Sequence, residues 1–258
     1  MPRISRRRFL QLAGSGLLVA QSPYLLAQPT KKKLGIALLG LGNYSTNLLA
    51  PALQHTNYCE LRGIITGTES KIPKWQRQHG IKESNVYTYR TMDDIANNDD
   101  IDVIYVVTPT GTHKDFAVKA ANTGKHVWCE KPMAMDSEEC QAIIDACNKN
   151  NVTLSIGYRM QHEPNTRTFH QYIDTKPYGE ITAVSSFAGY SGQGRSPDNW
   201  RMQKHMGGGA LYDMGVYAIN GPRFLTGREP VAVTGSHPPQ RFPAVSYTHL
   251  RAHETRHD

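Results

Sequence analysis

The segment from Leu34 to Gln54 limits most severely what this chain can fold into. A continuous apolar run, Leu34 to Leu39, is interrupted only by Gly35, and the turn Gly40-Leu41-Gly42-Asn43-Tyr44-Ser45 then leads into a helical pattern from Thr46 to Gln54. A short apolar run without alternation reads as a strand covered on both faces, which belongs in a parallel sheet. The rhythm then repeats. Strands are expected at Glu60 to Thr66, Asn85 to Tyr87, Ile101 to Val107, Val127 to Cys129 and Val152 to Ile156. Helices are expected near Lys71 to His79, after Thr91 with Asp94 as its capping partner, from His113 to the stop signal Gly124, and from Ser137 to about Asn150. Strand and helix alternating at this spacing predict an α/β fold with a doubly wound parallel sheet of Rossmann type over residues 34–157.

A strand, a glycine turn and a helix in that order form a seat for the pyrophosphate of a dinucleotide. Gly40 makes the turn and Gly42 carries no side chain to block the phosphates from the helix N-terminus; Leu41, Asn43 and Tyr44 complete the loop. Ser45 replaces the third glycine of the usual fingerprint and is small enough for close packing. The end of the second strand selects the nucleotide. An acidic residue there holds ribose hydroxyls, whereas this chain has Thr66-Gly67-Thr68-Glu69-Ser70-Lys71, with Lys74 beyond. A hydroxyl and a cation suit a 2′-phosphate, so NADP is expected; Glu69 is the residue that argues for NAD.

The remainder reads less regularly. A second, α+β part is expected over residues 158–244, with a long strand at Ile181 to Tyr190, a glycine-led helix from Gly207 to Leu225 stopped at Gly227, and a strand beginning at Pro230 to Thr234. At the other end, Ser5-Arg6-Arg7-Arg8-Phe9-Leu10 followed by a weakly apolar run to Ala27 matches a twin-arginine signal, which predicts handling by that export machinery and a periplasmic location. Residues 28–33 would form an arm. The formal net charge is +7, but Arg3, Arg6, Arg7 and Arg8 lie in that leader, and what is left is too little to argue for nucleic acid. The four cysteines have neither a C-x-x-C pair nor a companion histidine at zinc spacing, so buried thiols and no metal are expected. From Val245 to Asp258 the sequence lacks helical or strand periodicity and resembles a translated sequencing adapter, which marks it as a non-native tail and the α+β part as incomplete.

Five stretches together resemble the Gfo/Idh/MocA oxidoreductases, most closely the glucose-fructose oxidoreductase branch. They are Gly40 to Ser45, Thr108-Pro109-Thr110-Gly111-Thr112-His113, Cys129-Glu130-Lys131-Pro132, Gly157-Tyr158-Arg159, and Gly207-Gly208-Gly209 running through Asp213 to Tyr217. The likeness spans Leu34 to Val233. It implies an oxidoreductase acting on sugars, Lys131 beside the nicotinamide, Pro132 holding that loop, and Tyr217 as the group that takes the hydroxyl proton, its pKa lowered by Lys131. Asp213 would orient the sugar or tune that pair. It further implies that Tyr89, Thr108, Pro109, His113, Glu130 and Arg159 line the cofactor with Gly40 to Tyr44, Thr66, Gly67 and Lys71, and that Trp200 and Arg201 lie near the sugar. The second part would carry an open, largely antiparallel sheet used for contact between subunits of a homo-oligomer. Plainer readings stand beside these. Lys131 would be a solvated strand-end lysine, Tyr217 a half-buried core tyrosine, His113 a helix cap and Trp200 a core residue.

Overall fold

A computed structural model describes residues 33–190, 195–236 and 249–252. The twin-arginine segment to Ala27, the arm apart from Lys33, and most of residues 245–258 lie outside the described residues.

Six strands form one parallel sheet: β1 (Leu34–Leu39), β2 (Cys59–Thr66), β3 (Val86–Thr88), β4 (Val103–Val106), β5 (His126–Cys129) and β6 (Leu154–Ile156). They lie in the order β3-β2-β1-β4-β5-β6. Chain order reverses between β1 and β4, whose residues pair from Ile36 with Val103 to Leu39 with Val106. At such a reversal the connections leave in opposite directions and open a crevice at the carboxyl ends of the strands.

The helices cover both faces, which explains the unalternating apolar strands. Ile36 and Leu38 pack with Leu53, Ile64, Trp75 and Val103 on one side, toward α1 (Ala50–Gln54), which continues a π-helical stretch at Ser45–Leu49, and α2 (Ile72–His79). Ala37 and Leu39 face the other side with Ile65, Ile104, Val106 and Val127, toward α3 (His113–Asn122) and α4 (Ser137–Lys149). Ala117, Ala120 and Ala121 are fully buried on α3 and keep its axis close to the sheet. Each fully buried isoleucine or leucine here contributes about 1.5–3 kcal/mol relative to exposure.

Some local expectations change. Thr91 begins a 3₁₀ turn (Met92–Asn97) without capping it; its hydroxyl accepts from the Thr88 amide at 3.0 Å instead. The cap of α4 is Asp136, whose carboxylate accepts from the Glu139 amide at 2.8 Å.

Beyond β6 the described residues form α5 (Pro164–Thr175), which the sequence reading missed, and α6 (Val216–Thr226), which continues a π-helical stretch at Leu211–Gly215. Gly227, at φ 65, ends α6 as expected. The expected strand at Ile181 to Tyr190 is absent, because no described strand runs beside it and a strand without a ladder has nothing to hold it; Phe187 is 93 % exposed. The helix expected from Gly207 begins only at Leu211, since Gly207 and Gly209 have φ of 77 and 113, incompatible with a helix. β7 (Val233–Ser236) pairs antiparallel with β8 (His249–Ala252), so four residues of the stretch read as lacking periodicity form an edge strand. No helix among the described residues is long and apolar enough to cross a membrane.

Candidate active site

The carboxyl ends of the strands gather nearly every residue singled out by the sequence. After β1, Gly40 takes φ 99, and a Cβ there would lie 2.8 Å from the Val107 carbonyl, so the turn accepts only glycine. Ser45, wholly buried, donates its hydroxyl to the Gly40 carbonyl at 2.5 Å and ties the helix to the turn. Gly42 differs in kind, because a Cβ built on it meets nothing within 4 Å. The backbone there faces open space at the start of the first helix, which is the cradle a pyrophosphate requires. Asn43 accepts from Asn47 at 2.5 Å, and Leu41 is buried beneath the loop.

After β2, Lys71 reaches back and donates to the Leu41 carbonyl at 2.9 Å. With Lys74, Thr46, Asn47, Gly42 and Asn43 it lines one cleft, so two ammonium groups stand beside the phosphate cradle. Thr66 is 2 % exposed and its hydroxyl oxygen accepts from the Thr68 amide at 3.0 Å, which shapes the loop. Gly67 lies under the Tyr89 ring, where a Cβ would come within 2.6 Å of the ring edge, and Tyr89 packs on Phe116.

Two turns follow β4 and β5. Thr108 accepts the Thr112 hydroxyl at 2.8 Å, Pro109 precedes the 3₁₀ turn Thr110–Thr112, and His113 begins α3 with both ring nitrogens already engaged by backbone carbonyls. Glu130 is 8 % exposed; the Tyr105 hydroxyl donates to it at 2.5 Å and burial holds its carboxyl above the usual range. The Lys131–Pro132 bond is cis.

Residues far along the chain close over Lys131. Its ammonium donates to the Asp213 carbonyl and stands 3.6 Å from the Asp213 carboxylate; burial lowers its pKa while Asp213 raises it. Arg201 donates to the same carboxylate at 2.9 Å, and the Tyr190 hydroxyl hydrogen-bonds it as well. With two donors on its carboxylate and the Lys131 ammonium beside it, Asp213 is held below the ordinary carboxylate range despite its burial. Arg201 also stacks on Trp200, 4.3 Å from the ring centre.

Tyr217 lies one helical turn beyond Asp213. The Lys131 ammonium sits over its ring face, 4.6 Å from the centre, rather than at its hydroxyl. The hydroxyl is served by Arg159, and the phenol's pKa is raised, chiefly by burial, with Arg159 pulling against it. This corrects the expectation of a phenol lowered by Lys131: the two residues meet, but through the ring. Tyr44, pushed up to about 12 by burial and by Glu130, shares this pocket electrostatically with Tyr217 and Arg159.

Glycines explain how the second part reaches this place. A Cβ on Gly111 would lie 2.5 Å from the His205 carbonyl, and one on Gly207 would lie 2.6 Å from Thr110. The loop carrying Gly207 and Gly208 therefore nests against the turn after β4, and the Tyr212 hydroxyl fastens it to the Met135 carbonyl at 2.8 Å. Sequence reasoning missed Tyr190 and Tyr105. Neither stands at a motif spacing, and only the fold brings them to Asp213 and Glu130.

Residues 34–158 match the oxidoreductase family with an NAD-binding Rossmann fold, and residues 166–250 match the GFO/IDH/MocA C-terminal domain. Among curated relatives, the D-xylose 1-dehydrogenase [NADP(+)] of Haloarcula marismortui is 31% identical over 210 residues, 80% of this chain and 58% of that protein. The aldose-aldose oxidoreductase of Caulobacter crescentus, solved with glycerol, is 37% identical with a TM-score of 0.79, covering 83% of this chain and 63% of that one. The scyllo-inositol dehydrogenase of Lactobacillus casei, solved with NAD(H) and scyllo-inositol, shares the fold at 23% identity and a TM-score of 0.70, over 82% of this chain and 62% of its own. The chain thus spans somewhat over half the length of these proteins. With the dinucleotide turn, the Glu-Lys-Pro loop and the Asp213–Tyr217 helix converging on one crevice, it belongs to the Gfo/Idh/MocA family of NAD(P)-binding Rossmann oxidoreductases.

Proposed function

We propose that this protein is an NADP-dependent sugar oxidoreductase that oxidises an aldose at C1 to its lactone and passes the electrons, through nucleotide it does not release, to a second sugar. The observation that carries the redox reading is the meeting of Lys131, Asp213 and Tyr217 in front of the crevice that holds the open Gly42 cradle. NADP is favoured over NAD by Lys71 and Lys74 beside that cradle and by likeness to an NADP(+) enzyme.

When bound, the nicotinamide supplies a two-electron acceptor for hydride from the sugar carbon. The protein's part is the proton and the geometry. Tyr217 takes the C1 hydroxyl proton as the C–H bond breaks and returns a proton to the carbonyl oxygen of the second sugar. Its raised pKa suits it to the giving half, and Arg159 on its hydroxyl steadies the phenolate formed in the taking half. Asp213, ionised and bound by Lys131, Arg201 and Tyr190, is a holder of cations rather than a base. The Trp200 ring with its stacked Arg201 offers a platform for a pyranose.

Retention of the nucleotide accords with export by the twin-arginine route, which carries folded, loaded proteins; Arg6 to Leu10 and the apolar run behind them support that reading. The aldose-aldose oxidoreductase of Caulobacter crescentus supports two sugars as the pair. Likeness to a D-xylose dehydrogenase favours a second reading, in which NADP exchanges freely and one sugar is oxidised per nucleotide.

Protein purified from cells blocked in twin-arginine export separates the two. The first reading expects an absorbance band of bound reduced nucleotide to appear on adding D-xylose or D-glucose alone and to bleach on adding a second sugar. A band that appears only with added NADP supports the second. Failure to bind any nicotinamide nucleotide defeats both.

A further inference from the structure

His113 matched a cofactor position in sequence, but the fold gives it other work. It is 1 % exposed at the start of α3, with Nδ1 2.8 Å from the Pro132 carbonyl and Nε2 2.8 Å from the Thr108 carbonyl. Neither ring nitrogen is left for a ligand. The two carbonyls belong to the adjacent turns after β4 and β5, on one side of the crevice, and the Pro132 carbonyl follows Lys131 directly.

We propose that His113 is a positioning residue that pins the Lys131–Pro132 turn to the start of α3, and so sets where the Lys131 ammonium stands, rather than a residue that touches nucleotide. The inference rests on the reading above, in which Lys131 meets Asp213 and Tyr217 in front of the crevice. The far side of the same turn is braced separately, by Glu130, which holds the Lys131 amide at 3.3 Å while accepting from Tyr105. A turn braced on one side only would pivot.

The two contacts are unequal. The one to Pro132 is wholly buried and the one to Thr108 only partly so, and an unmatched group costs more where water cannot reach it. Neutral imidazole, which burial favours, has one N–H for two carbonyls; the Pro132 carbonyl, wholly buried, is the one that water cannot serve instead, so the N–H belongs there and Nε2 faces the Thr108 carbonyl without donating to it.

Three variants test this. The amide of His113→Asn can stand where Nδ1 stands and keep the Pro132 bond, that of His113→Gln can stand where Nε2 stands and leaves Pro132 without its donor, and His113→Phe fills the space with no donor. Amide hydrogen exchange of the peptide 129–135, measured on nucleotide-free protein, needs neither sugar nor cofactor and so stands or falls apart from the proposed reaction. Exchange there should rise about tenfold or more in the Gln and Phe variants and much less in Asn, with peptides from β1 and β4 unchanged. In parallel, NADP affinity should hold within about threefold in the Asn and Gln variants, while kcat falls for Gln much more than for Asn. Equal exchange in all three variants, or exchange raised throughout the sheet, would show a mere core filler. Loss of NADP affinity in Asn with exchange unchanged would make His113 a ligand after all.

Discussion

Tyr217 and Arg159 are 58 residues apart in sequence yet the guanidinium acts on the phenol, and the proton chemistry proposed here depends on that pairing. Removing the phenol hydroxyl in Tyr217→Phe should lower kcat by about 10²–10⁴-fold while nucleotide affinity is kept, since general acid–base catalysis contributes on that scale. Equal kcat for the variant and the parent would remove Tyr217 from the mechanism. The sign of the pH response follows from the same contact. Sugar oxidation needs the phenolate, so kcat/KM rises with pH toward a phenol pKa that burial has already raised. Arg159 lowers that pKa, so Arg159→Gln should move the rising limb to higher pH; a shift to lower pH, or none, would assign the limb to another group. At this scale the residue types were legible in the motifs. Which cation serves which atom was not, because Lys131 meets the Tyr217 ring and Arg159 its hydroxyl only once three separate loops have come together.

Helices and strands show where sequence patterning suffices. β1, β2, α3 and α4 were readable because each pairs an apolar period with a definite start or stop, as with Gly124 at φ 75 after α3. Caps could be placed only to within a residue. Ser137, the expected start of α4, is its first residue; the cap that precedes it, which the pattern did not name, is Asp136, whose carboxylate accepts from the Glu139 amide, while Glu139 accepts from the Met135 amide at 3.1 Å. Replacing that cap in Asp136→Ala should cost about 1 kcal/mol in urea unfolding, with the m-value unchanged. A loss within error would mean that Glu139 alone holds the helix start. The segment from Ile181 to Tyr190 shows the limit. Its pattern describes a face waiting for a neighbour, and pattern alone cannot supply the neighbour.

The whole molecule depends on how the second part seats on the first. Small residues line the seam on both sides, with Gly111 beneath the His205 carbonyl and Gly207 against Thr110. Gly111→Ala forces that seam apart at backbone level and should draw Asp213 away from Lys131. A displacement near 1 Å costs on the order of 100-fold in turnover. Nucleotide affinity, set on the other side of the crevice, should change less than about threefold, and a comparable loss in both quantities would show that the seam also shapes the nucleotide site. The family motifs named the residues on each side of this joint, while the joint itself became visible only in three dimensions.

Gly42 separates two properties that most substitutions in such a crevice confound. Its missing Cβ touches no part of the protein, so Gly42→Ala should leave thermal unfolding within about 0.5 kcal/mol of the parent, as for an ordinary surface change. The added methyl group should nevertheless shut out the nucleotide. Such a variant would be a well-folded blank, against which any sugar binding that persists can be credited to the pocket alone, and any that vanishes must be ordered by the nucleotide first.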